Sequence, residues 1–119
     1  MTNKEIIQTY FVRFFSGKAR HTQVREFLTD DFTFRGPLMS ANNADEYIDR
    51  LSQMGDELEI YADVCNIVAE GHAVAALVDF HGPVGNMRYA QWFTMRDGKI
   101  AELEVIYDPR PFLQGNDND

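Results

Sequence analysis

The sequence is poor in cysteine, in basic residues and in long apolar runs, and each scarcity removes a class of protein. One cysteine, Cys65, permits no intrachain disulfide framework and cannot by itself build a zinc site. Eleven Lys and Arg stand against nineteen Asp and Glu, a formal net charge of -8 with no basic cluster. A nucleic-acid partner is therefore not expected, because a phosphate backbone rewards clustered cations. The same charge disfavours anionic membranes. No apolar run approaches a membrane span, and the start, MTNKEIIQTY, lacks the long apolar core of a signal peptide. A cytoplasmic, reducing compartment is the default expectation. Internal repeats, low-complexity stretches, a G-x-S-x-G nucleophile motif and a glycine-rich phosphate loop are all missing.

Aromatic bulk is abundant: nine Phe, five Tyr and one Trp in 119 residues, enough for one independently folding domain. That domain is expected over residues 1–113, with 114–119 (Gln-Gly-Asn-Asp-Asn-Asp) as a disordered acidic tail. Thr2 and Glu5 form a capping-box pattern, after which Ile6, Ile7, Tyr10, Phe11, Phe14 and Phe15 recur at helical spacing up to a stop at Gly17. A short second helix is expected from Thr22, with Val24, Phe27 and Leu28 inward, broken by Thr29-Asp30-Asp31. Phe32 to Arg35 alternates as a brief strand ended by Gly36-Pro37. Asn43 with Glu46 caps a third helix whose inner face is Tyr47, Ile48, Leu51 and Met54, closed by Gly55. Strands follow from Leu58 to Ala69, Ala73 to His81, Met87 to Arg96 and Lys99 to Tyr107, the last pair joined by the hairpin signal Asp97-Gly98. A wider loop is expected over residues 82–86. Helices first and an antiparallel meander after them predict an α+β fold, a curved antiparallel sheet wrapped around N-terminal helices.

Period-two alternation places Met87, Tyr89, Gln91, Phe93 and Met95 on one face, read as the concave, helix-facing side. Trp92 lies on the other face between Arg88 and Arg96, which suggests an outer face covered by a second subunit. One strand earlier, Leu77, Asp79 and His81 share a face opposite Val74, Ala76, Val78 and Phe80.

Several residues invite chemistry, and each also has a plain structural reading. Asp108, at the end of the last strand, is either a proton carrier whose pKa is raised by aromatic surroundings or a turn acid before Pro109, paired with Arg110. Gln91 is a pocket amide or a strand-to-strand bond. Tyr10 is a hydroxyl donor or a core tyrosine. Asp79 and His81 form either a carboxylate-oriented imidazole in the cavity or a strand-end ion contact. Neither Cys65, His21 nor His72 offers an obvious third ligand beside them, so no metal is expected. Arg35 holds an anion over the pocket mouth or is a solvated strand-end charge. Met39, Met54, Met87 and Met95 are adaptable pocket walls or core fillers.

The segment Phe27-Leu28-Thr29-Asp30-Asp31-Phe32-Thr33-Phe34-Arg35-Gly36-Pro37, then Asp97-Gly98-Lys99-Ile100 and Tyr107-Asp108, with the order of elements, resembles the SnoaL-like branch of the nuclear transport factor two-like superfamily. The resemblance implies a cone-shaped, cystatin-like fold enclosing an apolar pocket, and usually a homodimer through the outer sheet face, here the Trp92 side. The superfamily includes polyketide cyclases, ketosteroid isomerase and proteins with no assigned activity, so fold alone does not define function. Ketosteroid isomerase joins an Asp base to an oxyanion hole of a Tyr and a protonated Asp. The resemblance puts Tyr10 and Gln91 at the two oxyanion positions, but Gly36 where the base should be. SnoaL-type cyclases carry an acid at the end of the last strand, matched by Asp108, and Gln-x-His on the penultimate strand, here Gln91-Trp92-Phe93 without the His. Asp108, Gln91 and Tyr10 are thus the catalytic candidates. Phe14, Phe34, Arg35, Met39, Tyr47 and Leu51 are expected to line the pocket, together with Asp79, His81, Tyr89 and Phe93. The implied activity is cofactor-free proton transfer on an apolar, carbonyl-bearing small molecule. The alternatives are a non-catalytic carrier or sensor, and a protein-interaction module.

Overall fold

In the computed structural model, residues 1–15, 24–54, 61–82 and 85–114 are described. Thr2 starts helix α1 (Asn3–Phe14) from an extended backbone. Its Oγ1 accepts the Glu5 N–H at 3.1 Å while the Glu5 carboxylate accepts the Thr2 N–H at 2.9 Å, so both ends of the capping box are made. These bonds hold the Glu5 carboxyl below its usual pKa. Ile6, Ile7, Tyr10 and Phe11 are buried, with Phe14 and Phe15 half-buried at the end of the stripe. The helix ends at Phe14, and Gly17 and Thr22 lie outside the described residues.

The expected second helix is a single 3-10 turn, Arg25–Phe27, and strand β1 (Leu28–Arg35) already begins where a helix break was read. Thr29-Asp30-Asp31 extends through an irregular stretch of the strand that keeps Leu28, Phe32 and Phe34 buried while both acids stay exposed and find cations. Asp30 accepts from Arg25 Nη2 at 2.8 Å and Asp31 pairs with Arg96. A two-residue strand, β2 (Ser40–Ala41), folds back on the end of β1. Helix α2 (Ala44–Met54) is capped by Asn43, whose Oδ1 accepts the Glu46 N–H at 2.8 Å. The returning bond differs slightly from the sequence pattern, since Glu46 accepts from Asn42 rather than Asn43. Tyr47 and Leu51 are buried and Ile48 is half-buried; the Met54 side chain and Gly55 lie outside the described residues.

Strands β3 (Tyr61–Glu70), β4 (Ala73–Gly82), β5 (Gly85–Arg96) and β6 (Lys99–Ile106) form the expected antiparallel meander. Residues 58–60, where the sequence begins β3, are outside the described set. The turn after β5 has Asp97 at φ 53° and Gly98 at φ 78°, the left-handed pair that a two-residue hairpin needs to match strand twist. Gly82 pairs with Gly85, so the loop is shorter than the expected 82–86, with 83–84 outside the described residues. The sheet order is β2-β1-β6-β5-β4-β3, and β1 joins β6 in parallel, with Phe34 opposite Leu103. The sheet is therefore mixed at one end rather than antiparallel throughout. A final short helix, α3 (Arg110–Gln114), follows β6 and reaches the first residue of the expected tail; residues 115–119 are outside the described set.

Helices α1 and α2 cover the concave face, and the core beneath them includes fully buried Phe32, Phe93, Ile7, Leu28 and Ile100. Among the described residues no helix is long and apolar enough to cross a membrane. Phe93 meets Tyr10 and Phe11 edge-on, each at 5.8 Å between ring centroids. Replacing Phe93 with Ala should lower unfolding free energy by about 3–5 kcal/mol in urea titrations. A loss under ~1 kcal/mol would show that the site collapses without a cavity.

Candidate functional site

Aromatic side chains on α1, β1, α2 and the three central strands face one another without filling the space between them. The hollow measures about 270 Å³. Tyr10 and Phe14 of α1 stand on one side, Tyr47 and Leu51 of α2 beside them, and Gln91, Leu103 and Val105 of β5 and β6 across from them. At one end Phe80, Tyr89 and Tyr107 run side by side across β4, β5 and the end of β6. Their centroids are 4.2 Å apart at each step, and the Tyr89 and Tyr107 rings lie within 9° of parallel. Phe112 of α3 closes this end, edge-on to Tyr107 at 5.8 Å.

The polar side chains facing the hollow are few. Tyr10 and Tyr47 share a buried hydrogen bond, hydroxyl to hydroxyl at 2.9 Å. It forms because each tyrosine sits on the buried stripe of its own helix, Tyr47 stacked on Phe34 and Tyr10 packed on Phe93. Burial disfavours both phenolates. It lifts Tyr10 well above the ordinary tyrosine range and Tyr47 to about 12. Half-buried Tyr89 is likewise pushed to about 12 by desolvation, and Tyr107 upward by the same cause. Gln91 is 8% exposed, and among the described residues its amide makes no hydrogen bond. The amide atoms are not sealed off from the hollow they line, so water or the oxygen of a ligand can pair with them there. No carboxylate, imidazole, amine or guanidinium belongs to the described lining.

Of the residues expected at the site, Tyr10, Gln91, Phe14, Phe34, Met39, Tyr47, Leu51 and Tyr89 line the hollow. Asp108 does not. Its side chain is 48% exposed and locked to Arg110, accepting from the backbone N–H at 3.0 Å, from Nε at 2.9 Å and from Nη2 at 2.6 Å. The Arg110 side chain first, and its backbone N–H second, hold the carboxyl below its usual range. A base poised near neutrality needs the opposite shift, so the proton-carrier reading of Asp108 is corrected to a turn acid.

Asp79 and His81 are corrected too: both lie on the outer face. Asp79 accepts from Arg88 Nε at 2.7 Å and from Cys65 Sγ at 3.2 Å, which brings its pKa to about 2. His81 bonds Asn86 at 2.8 Å and Asp63 at 3.1 Å, and its pKa is raised. Arg35 is exposed and stitches β1 to β2, donating to the carbonyls of Phe34 and Ala41 at 2.8 and 3.1 Å. Phe93 is fully buried in the core under Tyr10 rather than lining the hollow. Gly36, where an isomerase base would stand, packs under Phe34: a Cβ there would lie 3.2 Å from the ring's Cε1. Among the described residues no cluster of three or more His, Cys, Asp or Glu can hold a metal; His21 is outside them and His72 sits in the β3–β4 turn.

Phe80, Tyr107 and Phe112 were missed as lining residues. For Phe80 a signal existed. Hairpin pairing sets Phe80 opposite Met87 and Asp79 opposite Arg88, and cross-strand partners share a face. Placing Met87 inward therefore places Phe80 inward and Asp79 outward.

The chain belongs to the SnoaL-like domain family, whose model matches residues 7–103. A nuclear transport factor two-like protein of unknown function from Cytophaga hutchinsonii superposes with a TM-score of 0.81 at 18% identity, covering 95% of this chain and 96% of that one. A candidate SnoaL-like polyketide cyclase from a Jannaschia species gives 0.76 at 16% identity, covering 97% and 93%. A candidate ketosteroid isomerase from Kribbella flavida gives 0.70 at 15% identity, covering 91% and 82%. At such identities the likeness is one of fold. No curated protein matches the chain.

The raised tyrosine pKa values carry a signed consequence. A proton held more tightly in the fold than in the open chain stabilises the fold, in full below the unfolded value near 10, and is lost as pH climbs toward the folded value of about 12. Urea midpoints should therefore fall between about pH 10 and about pH 12, and Tyr47→Phe should flatten that slope. A slope unchanged by the substitution would mean that Tyr47 ionises as an ordinary tyrosine.

Proposed function

We propose that this SnoaL-like protein binds an uncharged, largely apolar small molecule that presents a hydrogen-bonding oxygen to Gln91 and to the Tyr10–Tyr47 pair. The observation that carries this reading is the lining itself. A hollow of about 270 Å³ is walled by rings and aliphatic chains, and the Gln91 amide within it has no protein partner among the described residues. An apolar cavity of ~150 Å³ is large enough for benzene, so this one suits a molecule on the order of ten to fifteen non-hydrogen atoms. An ion entering it would shed its hydration and meet no opposite charge among the described residues, a penalty that neutral ligands avoid.

Carrier or sensor is favoured over enzyme. Tyr10, Tyr47 and Gln91 can stabilise a developing oxyanion, as donors aimed at one atom do. Isomerisation, cyclisation or hydration also needs a base, and none lines the hollow among the described residues now that Asp108 faces solvent. The Tyr10–Tyr47 hydroxyl pair keeps the catalytic reading alive as the second choice, with the base to come from the ligand or from water. A pure protein-interaction module fits less well, because such a module has no use for an unfilled hollow.

A second subunit over the outer sheet face completes the proposal. Trp92 is 51% and Ile106 60% exposed, and pairing joins them through Ala90, Leu77 and Ala75 into one apolar patch. A reducing cytoplasm suits the free, exposed Cys65.

Native mass spectrometry of freshly purified protein should show a dimer retaining a small neutral guest, and Trp92→Glu should yield monomers. In calorimetric titrations acetylnaphthalene should bind, while naphthoate and naphthylmethylammonium bind roughly a hundredfold more weakly or not at all. Gln91→Leu should weaken acetylnaphthalene by roughly tenfold. Ionic and neutral probes binding alike would overturn the proposal.

A further inference from the structure

The C-terminal turn explains what Asp108 does if it carries no proton. After β6 the chain passes Tyr107 and then makes the single turn of α3, in which Pro109 O accepts from the N–H groups of Phe112 at 3.0 Å and Leu113 at 3.3 Å. Five residues are far too few for a helix to persist unaided. Two things hold this one. The Asp108 carboxylate grips the Arg110 guanidinium as a two-oxygen fork and also accepts the Arg110 backbone N–H. The Phe112 ring is seated on Tyr107 at the rim of the hollow, while the neighbouring Leu113 is 49% exposed. This end of the hollow is the wet one. Tyr89 and Tyr107 are only partly buried, and Gly82 and Gly85 of the β4–β5 hairpin stand beside them, whereas Gln91, Tyr10 and Leu103 are buried.

We infer that Asp108 and Arg110 are positioning residues for Phe112, and that Phe112 is a gate over the mouth of the hollow that sets how fast a ligand enters and leaves. The inference rests on the ligand-binding reading above and adds to it the route and the element that controls passage. The clamp is a device for rates. A side chain that swings aside for entering and leaving ligand alike changes association and dissociation together and leaves the affinity nearly unaltered. It stays charged through the neutral range, because Arg110 holds Asp108 ionised. High salt, which screens exposed charge pairs, should therefore loosen it where modest pH changes do not.

The test is stopped-flow binding of the neutral fluorophore N-phenylnaphthylamine to the full chain and to Asp108→Ala, Arg110→Ala and Phe112→Ala. Amide hydrogen exchange at Phe112 and Leu113 is followed in parallel on the ligand-free proteins. Association and dissociation rates should both rise, about threefold when the clamp is broken and about tenfold when the ring is removed, with the clamp variants' affinity shifting less than either rate. Exchange at Phe112 should quicken in Asp108→Ala while exchange in β5 does not, which a general loss of stability cannot imitate. Binding by all four proteins at equal rates overturns the gate and leaves the pocket reading standing. Binding by the variants but not by the parent at equilibrium also overturns the gate, because a device that acts on rates leaves the affinity in place. Binding by none of the four removes the pocket reading and the gate with it.

Discussion

Rigid rings that stack or meet edge to face, rather than flexible chains that collapse onto one another, are what keep a space open inside this protein. Phe93 stands under Tyr10 and Phe11, Phe34 stacks on Tyr47, and Tyr89 stacks on Tyr107. Each contact sets a distance between a helix and the sheet or between two strands, because an aromatic ring has only two torsions and cannot fold into the gap beside it. The one side-chain bond between α1 and α2 among the described residues joins the two tyrosine hydroxyls. It satisfies both hydroxyls in a place where an unmatched one would be costly. The same geometry that props the hollow open thus supplies its polar corner, and stability and recognition draw on the same residues.

That frame also explains why charge is kept out. The acids and bases that looked chemically active in the sequence are each neutralised near the surface: Asp108 by Arg110, Asp79 by Arg88 and His81 by Asp63 and Asn86. Among the described residues no charged side chain is buried, and the described lining is left electrically quiet. A neutral guest is the chemical consequence.

Short-range features were legible in the sequence. The two helix caps, the Asp97-Gly98 hairpin and the inward face of β5 follow from rules that operate over a few residues, and the chain obeys them. The site was legible in part, since Tyr10, Tyr47, Gln91 and Tyr89 could be placed from helical and strand periodicity. What could not be read was decided by partners far away or by side-chain torsions. Thr29-Asp30-Asp31 extends across a break in the ladder between Leu28 and Thr33, whose partners Ile100 and Glu102 lie, like the Arg96 that pairs with Asp31, at the other end of the chain. Asp108 turned outward because Arg110 offers a better bond than a dry interior does. Asp before Pro is compatible with either outcome, and local pattern could not choose.

The parallel union of β1 with β6 has a consequence for how the chain comes to be folded. Leu28 and Phe34 find their strand partners at Ile100 and Leu103, so the first strand remains unpaired along that edge until nearly the whole domain has left the ribosome. The meander can assemble from neighbours, but its completion waits on a loop closure that spans most of the chain, the kind of contact that slows folding and prolongs the exposure of sticky edges. The nascent protein therefore passes through a stage in which the β6-facing edge of β1 has no partner, and that interval is where misassembly has its opening.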